Sequence, residues 1–270
     1  ISCRGIKNMV DFEYKNRYNV YDLQRLIALL RSENGCPWDR EQTHESIRRN
    51  FLEEAYEAVE AIDENNPEHL LEELGDVLVQ VVFHSRIEEE KGSFNLDDVA
   101  DAVCKKLIYR HPHVFGDTKV EGSEDVLVNW DELKRKEKHQ STTASAMDSV
   151  ARSLPALWRA EKIQNKAKKV GFDWENISGA MDKLLEEVNE LKEAIASGEG
   201  VEEELGDLLF AAVNVARFTK TDPEEALHSA CDKFTRRFKY IESEAARMGR
   251  ELSAMTLEEM DGLYNKAKKL

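Results

Sequence analysis

The hexapeptide ELGDVL at residues 73–78 decides the fold, because it returns almost unchanged as ELGDLL at residues 204–209. Before the second copy, apolar side chains recur at spacings of three and four, which is typical of a helix with one buried face. These residues are Met181, Leu184, Leu185, Val188, Leu191 and Ile195. Small residues at 197–200 then break the chain, so the second hexapeptide is predicted to lie on the second helix of an antiparallel pair.

Two further motifs repeat together with the hexapeptide. LEExxE at residues 52–57 returns at 185–190, and KxxxR at residues 106–110 returns at 233–237. The spacing between copies drifts by only a few residues from one motif to the next, as different loop lengths in two copies would produce. We therefore predict an internal duplication.

The predicted fold class is all-α, with two tandem helical-bundle modules of the same design. The small polar stretch QSTTASA at residues 140–146 is typical of a linker between such modules. We divide the chain into an N-terminal tail (1–18), a first module (19–137), a linker (138–155) and a second module (156–270). Each module is predicted to hold two antiparallel helices and a third helix that ends in the KxxxR motif, called the Lys/Arg motif below.

The composition argues against several other classes of protein. Of the 270 residues, 41% are hydrophobic and 34% are charged, and the net charge is −16. A nucleic-acid partner is not expected, because affinity for a phosphate backbone comes mainly from clustered Lys and Arg. The four cysteines form no CxxC pair, which favours free thiols in a reducing cytoplasm over a zinc knuckle. No apolar run approaches the roughly 20 residues that span a bilayer, so no membrane association is expected.

Acidic residues at helical spacing form the candidate metal site. Residues three apart share a helix face, and four carboxylates that face one another across a helix pair make an all-oxygen site suited to Mg²⁺, or alternatively Mn²⁺. In the second module these residues are Glu187, Glu190, Glu204 and Asp207. The same arrangement in the first module consists of Glu54, Glu57, Glu73 and Asp76.

Two features distinguish these acids from ordinary solvated faces, which alone would explain an ExxE pair in a chain with 54 acidic residues. Gly75 and Gly206 interrupt helical patterns at a cost of about 1 kcal/mol relative to Ala, which suggests that something approaches the backbone closely there. Lys233 and Arg237 recur in both copies of an acidic protein, which favours phosphate contacts. The alternative is that they form the basic end of a helix.

Other interpretations stay open at this point. A di-iron carboxylate bundle needs ExxH motifs on two helices, and residues 41–44 and 225–228 have that spacing, although at non-equivalent places in the repeat. A non-enzymatic helical scaffold would use its acidic faces only for solubility. Asp39 and Asp173, each beside a tryptophan, are predicted to fix the entry of a helix.

Taken together, the motifs resemble the MazG family of nucleoside triphosphate pyrophosphohydrolases. The resemblance covers about residues 20–267 and includes ENGCPWD at 33–39, RHPHVF at 110–115 and VGFDW at 170–174. It implies Mg²⁺-dependent hydrolysis of nucleoside and deoxynucleoside triphosphates to the monophosphate and pyrophosphate, in control of the nucleotide pool. It also implies that the helical module is completed by assembly as a homodimer.

Position by position, the resemblance implies roles for particular residues. The metal ligands are Glu187, Glu190, Glu204 and Asp207, and the candidate catalytic residues are Lys183 and Glu186. We expect Glu186 to position or deprotonate the attacking water. The substrate-binding set is Lys183, Glu186, Asn214, Lys233, Arg237 and Tyr264, with Tyr264 at a place where the family can carry Trp. A second site in the first module would consist of Glu54, Glu57, Glu73, Asp76, Lys106 and Arg110.

The two modules are not equivalent at two of these positions. Lys183 corresponds to Asn50 in the first copy, and Asn214 corresponds to Phe83. The first module therefore keeps its acids but loses a cation and gains an aromatic side chain. We predict that the second module is the principal catalyst and that the first is structural, regulatory or less active.

Overall fold

The structure of the protein is a computed structural model that describes residues 12–137 and 142–269. Within these ranges every regular element is a helix, which confirms the predicted all-α class. Residues 1–11 of the predicted tail and 138–141 of the predicted linker lie outside the described residues.

The chain divides into two compact units between Leu133 and Lys134. The helices that begin in the first unit are α1 (Val20–Leu30), α2 (Pro37–Glu41), α3 (Arg48–Asp63), α4 (Pro67–Glu90), α5 (Leu96–Arg110), α6 (Pro112–Phe115) and α7 (Ser123–Glu137). Those of the second unit are α8 (Thr143–Asp148), α9 (Ala156–Lys168), α10 (Ile177–Ser197), α11 (Val201–Thr219), α12 (Pro223–Arg247) and α13 (Leu257–Ala267), with a 3₁₀ turn at Leu252–Ala254.

Each unit is organised around one helical hairpin, α3–α4 in the first and α10–α11 in the second. The second hairpin turns tightly because Gly198 and Gly200 both adopt positive φ, which costs glycine little. In the first hairpin Asn65 takes the positive φ, and the Asn66 side chain accepts hydrogen bonds from the first backbone N–H groups of α4. The predicted pairs of helices are therefore present in both copies.

Flanking helices pack on these hairpins and complete small cores. In the first unit α1 lies against α4, and the buried side chains of this core are Ile27, Ile47, Val82, Phe83 and Ile87. In the second unit α9 lies against α11, while α12 and α13 bury Ile241, Ala245, Met255 and Leu263.

The third helix of each copy was predicted to end in the Lys/Arg motif, and this is wrong for the second unit. Helix α5 ends at Arg110, but α12 continues past Arg237 to Arg247. It continues because Ile241 and Ala245 on its next turns are buried in the core. Lys233 and Arg237 therefore lie inside a helix, and a favourable interaction with the helix C-terminus explains only Arg110.

Part of the predicted linker is folded. Helix α8 lies within it, begins at a capping box formed by Thr142 and Ser145, and packs against α9 with Ala146 buried. Residues 143–148 thus belong to the second unit, and the domain boundaries given above stay a prediction.

Gly75 and Gly206 lie inside α4 and α11, as their helical surroundings predict. Apart from the adjoining residues and the backbone of the same helix turns, no heavy atom of the described residues lies within 4 Å of the place where a Cβ would stand at either glycine. Packing inside the chain therefore does not account for them.

In the described ranges there is no helix both long and apolar enough to cross a membrane.

Candidate metal centre and adjoining cavity

Three carboxylates meet where α10 and α11 face each other. Glu187 on α10 and Glu204 and Asp207 on α11 can each place an oxygen within 4.8 Å of the other two. Three like charges at this separation repel one another unless a cation lies between them. Their oxygens are the ligands that hard divalent cations prefer, so the cluster fits a Mg²⁺ or Mn²⁺ ion.

Glu187 provides the clearest sign that this cluster is built for a cation. Its side chain is only 7% exposed, and Lys183 Nζ lies 2.8 Å from its Oε1. Its Oε2 is buried and has no hydrogen-bond partner among the described residues. A buried carboxylate oxygen without a donor is costly, and a metal ion would remove that cost.

Lys183 and the two remaining acids of α10 lie around the cluster. Lys183 Nζ donates to Glu186 Oε1 at 2.7 Å and is 4.0 Å from Glu190 Oε2. The hydrogen bonds from Lys183 to Glu186 and Glu187 raise the pKa of the Lys183 ammonium, so it stays charged at neutral pH. Partial desolvation raises the pKa of Glu190, an effect that Lys183 opposes and the charge of Glu187 reinforces. Glu190 is not one of the three residues whose carboxylate oxygens lie within 4.8 Å of one another.

The first unit holds a corresponding cluster, in which Glu54, Glu57 and Glu73 come within 4.8 Å of one another. Burial raises the pKa of Glu54, and the charges of Asp76, Glu57 and Glu73 raise it further. Each cluster brings together three of the four residues proposed for its module, with Asp76 outside the first group and Glu190 outside the second. Around this cluster the Lys183 position is occupied by Asn50, and the nearby basic side chain is instead His69, whose Nε2 lies 3.2 Å from Glu73 Oε1.

A cavity of about 600 Å³ opens directly beside the second-unit cluster. Lys183, Glu187 and Asp207 form one part of its wall. Most of the rest is apolar, with a few polar side chains, and includes Ile163, Phe172, Trp174, Phe210, Gln164 and Asn214. An apolar cavity with a few placed polar groups is typical of a small-molecule site.

Residues from distant parts of the unit hold the cavity wall in place. Arg217 Nη1 donates to Asp173 Oδ2 at 2.9 Å, and Arg217 Nε donates to Asn214 Oδ1 at 3.1 Å. The Trp174 side chain packs closely against Gly179 on the first turn of α10, where the Cβ of any larger residue would collide with the indole ring. The loop VGFDW is therefore part of the site.

Sequence reasoning assigned Asp173 only the entry of a helix, which misses most of its role. Asp173 does accept the backbone N–H of Trp174 at 3.0 Å, but the cap of α10 is Asn176. Its carboxylate mainly pairs with Arg217, and this contact holds the pKa of Asp173 below its ordinary value of 3.8. No local sequence pattern indicates the pair, because its members are 44 residues apart.

Replacing Asp173 by Asn is expected to destabilise the second unit by about 3–5 kcal/mol, because the Arg217 side chain is only 5% exposed and would keep a buried, unpaired charge. Urea unfolding at neutral pH measures this. The depressed pKa means that the stabilisation is complete above the ordinary aspartate value of 3.8 and is lost as the pH falls through the lower folded value. The difference between wild type and variant should therefore shrink in strong acid.

Asp101→Asn is the matched control, since Asp101 pairs with Lys105 on the surface and such pairs contribute about 0–1 kcal/mol. Equal unfolding free energies for the two variants would show that the Asp173–Arg217 pair does not support the cavity.

The predicted phosphate contacts lie elsewhere in the second unit. Arg237 Nη1 donates weakly to the Tyr264 hydroxyl at 3.5 Å, and its guanidinium carbon lies 5.4 Å from the centre of the Tyr264 ring. Lys233, Arg237 and Tyr264 are not among the side chains that line the cavity. In the first unit Arg110 is buried, with its guanidinium 5.1 Å from the Trp130 ring, whereas Lys106 is exposed.

The ExxH pairs of a di-iron site do not assemble. In the described part of the chain, the groups with metal-binding spacing consist of carboxylates alone. His44 instead lies with its Nδ1 2.7 Å from His84 Nδ1 and its Nε2 2.6 Å from Glu88 Oε1. This arrangement disfavours the di-iron interpretation.

The described residues thus form an all-α protein in which carboxylates of a helical hairpin, able to hold a metal ion, adjoin a largely apolar cavity. The family model described as the MazG nucleotide pyrophosphohydrolase domain matches this chain twice, at residues 42–115 and 176–241. The chain belongs to the MazG family, and its two matches confirm the tandem arrangement.

Several bacterial proteins are similar to this chain over most of its length. The nucleoside triphosphate pyrophosphohydrolase of Escherichia coli (strain K12) is 42% identical over 255 residues, which is 92% of this chain and 97% of that protein. The nucleoside triphosphate pyrophosphohydrolase/pyrophosphatase MazG of Thermotoga maritima is 45% identical over 247 residues, 92% of this chain and 94% of that protein. The uncharacterized protein YabN of Bacillus subtilis (strain 168) is 49% identical over 260 residues, but this chain spans only 53% of its length.

Proposed function

We propose that this protein hydrolyses nucleoside and deoxynucleoside triphosphates to the monophosphate and pyrophosphate, with Mg²⁺ or Mn²⁺, and so acts in control of the nucleotide pool. One observation carries the proposal: the buried Glu187, with an oxygen that lacks a donor, stands in a three-carboxylate group that opens into a cavity. The names of the Escherichia coli and Thermotoga maritima relatives support the reaction class.

In this proposal Glu187, Glu204 and Asp207 hold the metal, and Glu190 joins them from beside the cluster. A divalent ion held there supplies Lewis acidity and neutralises charge on the triphosphate. Lys183 already contacts Glu187 at 2.8 Å, so its ammonium is close enough to share its charge between the carboxylates and a phosphate.

Glu186 is the proposed residue that positions or deprotonates the attacking water. It is exposed and leaves α10 about 100° round the helix from Glu187, so it need not be a metal ligand. Its hydrogen bond to Lys183 at 2.7 Å holds it beside the cluster. A carboxylate in that place can accept a proton from water as the phosphoanhydride bond breaks.

The difference between Asn214 and Phe83 supports the second unit as the principal catalyst. Asn214 lines the cavity in the second unit, and its counterpart Phe83 is a buried core residue of the first. The Arg31 guanidinium carbon lies 5.0 Å from the centre of the Phe83 ring, so large side chains occupy this part of the first unit. We propose that the first unit is structural, regulatory or less active.

We propose that the protein assembles as a homodimer. Several large apolar side chains of α10 and α11 are more than 40% exposed, among them Leu185, Ile195, Leu205 and Leu209. Exposed apolar side chains on two adjoining helices favour contact with another protein surface, here a second copy of the chain.

The direct test is product analysis over a panel of nucleoside and deoxynucleoside triphosphates with Mg²⁺. We expect the monophosphate and pyrophosphate in equal amounts, without orthophosphate. Orthophosphate with the diphosphate would contradict the proposal, because a different phosphoanhydride bond would then be cleaved. No turnover of any triphosphate would favour the scaffold interpretation.

Arg237→Ala is expected to lower kcat/KM for triphosphates by about ten- to a hundredfold, because a lost charge-assisted contact typically costs about 1.5–3 kcal/mol. The cavity does not include Arg237, so the contact requires a triphosphate that extends towards α12 or a second copy that supplies the residue. Arg237→Lys should recover part of the loss, since it keeps the charge without the two-pronged geometry. Steady-state kinetics on both variants measure this.

Arg110→Ala is the counterpart in the first unit and should affect turnover less. Circular dichroism distinguishes a loss of activity caused by a missing phosphate contact from one caused by unfolding. Arg237→Ala with unchanged kinetics, or with a loss explained entirely by unfolding, would contradict a phosphate role for this residue.

A further inference from the structure

Arg217 lies between an acid and an amide in the wall of the second-unit cavity. Its side chain is only 5% exposed, and its Nη1 donates to Asp173 Oδ2 at 2.9 Å. On the other edge of the guanidinium, Nε and Nη2 donate to Asn214 Oδ1 at 3.1 and 2.6 Å. All three residues line the cavity. One guanidinium thus joins the loop before α10 to a side chain of α11.

These contacts fix which end of the Asn214 amide faces Arg217. A guanidinium can only donate hydrogen bonds, so it must meet the amide oxygen, and a flipped amide would set N–H groups against one another. The NH₂ group therefore lies on the other side of the amide. It donates no hydrogen bond among the described residues, yet it is not one of the fully buried polar groups that lack a partner. Because Asn214 is only 7% exposed and lines the cavity, the open space that this group reaches is the cavity.

The position of Asn214 along α11 indicates which part of a nucleotide it meets. Asn214 lies seven residues after Asp207, close to two helical turns, so their Cα atoms are about 10 Å apart on one face. The proposed metal site at Asp207 binds the phosphates. The turn of α11 before Asn214 presents Phe210 and Ala211 to the cavity, which are apolar and suit a sugar or base better than a phosphate. The NH₂ group is thus placed for the nucleoside part of the substrate.

The nucleoside part offers acceptors that do not depend on the identity of the base. One is N3 of a purine or O2 of a pyrimidine, which every base carries on its minor-groove edge. The other is the 3′-oxygen of the sugar, which ribonucleotides and deoxyribonucleotides share. A single NH₂ donor can bind either acceptor. Such a contact holds the nucleoside in place without selecting a base.

The counterparts in the first unit are arranged differently. Asn214 corresponds to Phe83, as described above, and at the same offset Arg217 corresponds to Arg86. Arg86 forms ion pairs with two acids of its own helix, and its side chain is 27% exposed. The chain of acid, arginine and amide therefore belongs to the second unit.

We infer that the Asp173–Arg217 pair positions the Asn214 amide so that its NH₂ group donates to a base-independent acceptor on the nucleoside part of the triphosphate. Asp173 and Arg217 are positioning residues, since they act through Asn214. The inference rests on the hydrolysis proposed above and adds the atom that holds the nucleoside and the residues that orient it.

The test compares three substrates that differ in one acceptor. They are ATP, 3-deaza-ATP, in which a C–H group replaces N3, and 3′-deoxy-ATP. Wild type should use one of the two analogues about ten- to a hundredfold less efficiently than ATP in kcat/KM, because a buried donor loses its partner. A loss with 3-deaza-ATP assigns the contact to the base edge, and a loss with 3′-deoxy-ATP assigns it to the sugar.

Two variants test the roles of the amide and the guanidinium. Asn214→Asp removes the donor but keeps an oxygen for Arg217, so it should lower kcat/KM for ATP far more than for the analogue that lacks the acceptor. Arg217→Lys keeps a cation beside Asp173 without the forked geometry that fixes the amide. It should lower kcat/KM for ATP by a smaller factor and likewise spare that analogue. The double variant should be no worse than Asn214→Asp alone, because both changes remove one contact.

Asn95→Asp is the matched control, because it makes the same change at the N-cap of α5, where Asn and Asp serve equally well. It should leave kcat/KM for all three substrates at the wild-type values. Equal losses for all three substrates in Asn214→Asp or in Arg217→Lys would assign these residues a packing role and overturn the inference. So would equal use of the three substrates by wild type, a measurement that does not depend on the folding of any variant.

Equilibrium dialysis with the same three triphosphates and Mg²⁺ separates this inference from the proposed reaction. Weaker binding of one analogue, with no hydrolysis of any, would contradict the reaction and support the positioning of Asn214. Hydrolysis without a difference among the three would contradict the positioning alone.

Discussion

Glu187→Ala and Asp207→Ala are each expected to lower triphosphate hydrolysis by about a hundred- to a thousandfold or more. Loss of a single group that stabilises charge in a transition state typically has an effect of this size. Glu187 contributes the buried oxygen that lacks a donor, and Asp207 faces it from α11. Initial rates with saturating Mg²⁺ measure the loss, and circular dichroism should show unchanged helicity.

Glu54→Ala and Asp76→Ala are the matched controls, because they make the same changes at the corresponding positions of the first unit. Each should leave a substantial fraction of the activity. If these variants fold and are as inactive as Glu187→Ala, the assignment of catalysis to the second unit is wrong.

Removal of divalent metal by excess EDTA is expected to abolish hydrolysis, and added Mg²⁺ should restore it. Without a metal ion the three carboxylates of the second unit repel one another and a bound triphosphate, and the single charge of Lys183 does not balance them. The fold should survive chelation, because the core residues of each unit are apolar and separate from the clusters. Turnover assays before and after chelation test this.

Thermal unfolding tests metal binding at the same site independently of turnover. A metal that binds only the folded protein stabilises it by about 2.7 kcal/mol at a hundredfold excess over Kd. Mg²⁺ should therefore raise the Tm of wild type and raise it less in Glu187→Ala. Undiminished turnover after complete chelation would contradict the metal site.

Much of the fold was predictable because it depends on short-range signals. Helical periodicity and local breaks such as Asn66-Pro67 and Gly198 are written in consecutive residues, and the structure has both hairpins there. Because the sequence repeats, a pattern recognised in one copy predicts the same element in the other. The end of α12 was missed because its last turns are stabilised by burial of Ile241 and Ala245, which depends on tertiary packing.

The carboxylates could be predicted from the sequence more readily than the cavity could. The spacing of Glu187 and Glu190 predicts that they share a helix face, although only Glu187 belongs to the three-carboxylate group. The cavity is assembled from α8, α9, the VGFDW loop, α10 and α11. Gln164 and Phe210 are 46 residues apart, and a contact of that span leaves no pattern in one sequence.

The central claim is that the carboxylates of the second unit hold the metal that serves the triphosphate. The most direct measurement is a Mn²⁺ titration followed by electron paramagnetic resonance, in the presence of a non-hydrolysable triphosphate, on wild type, Glu187→Ala and Glu54→Ala. We expect Glu187→Ala to lose a class of bound Mn²⁺ whose signal responds to the triphosphate, and Glu54→Ala to keep it. A triphosphate-responsive Mn²⁺ signal that persists in Glu187→Ala, or that disappears only in Glu54→Ala, would contradict the claim.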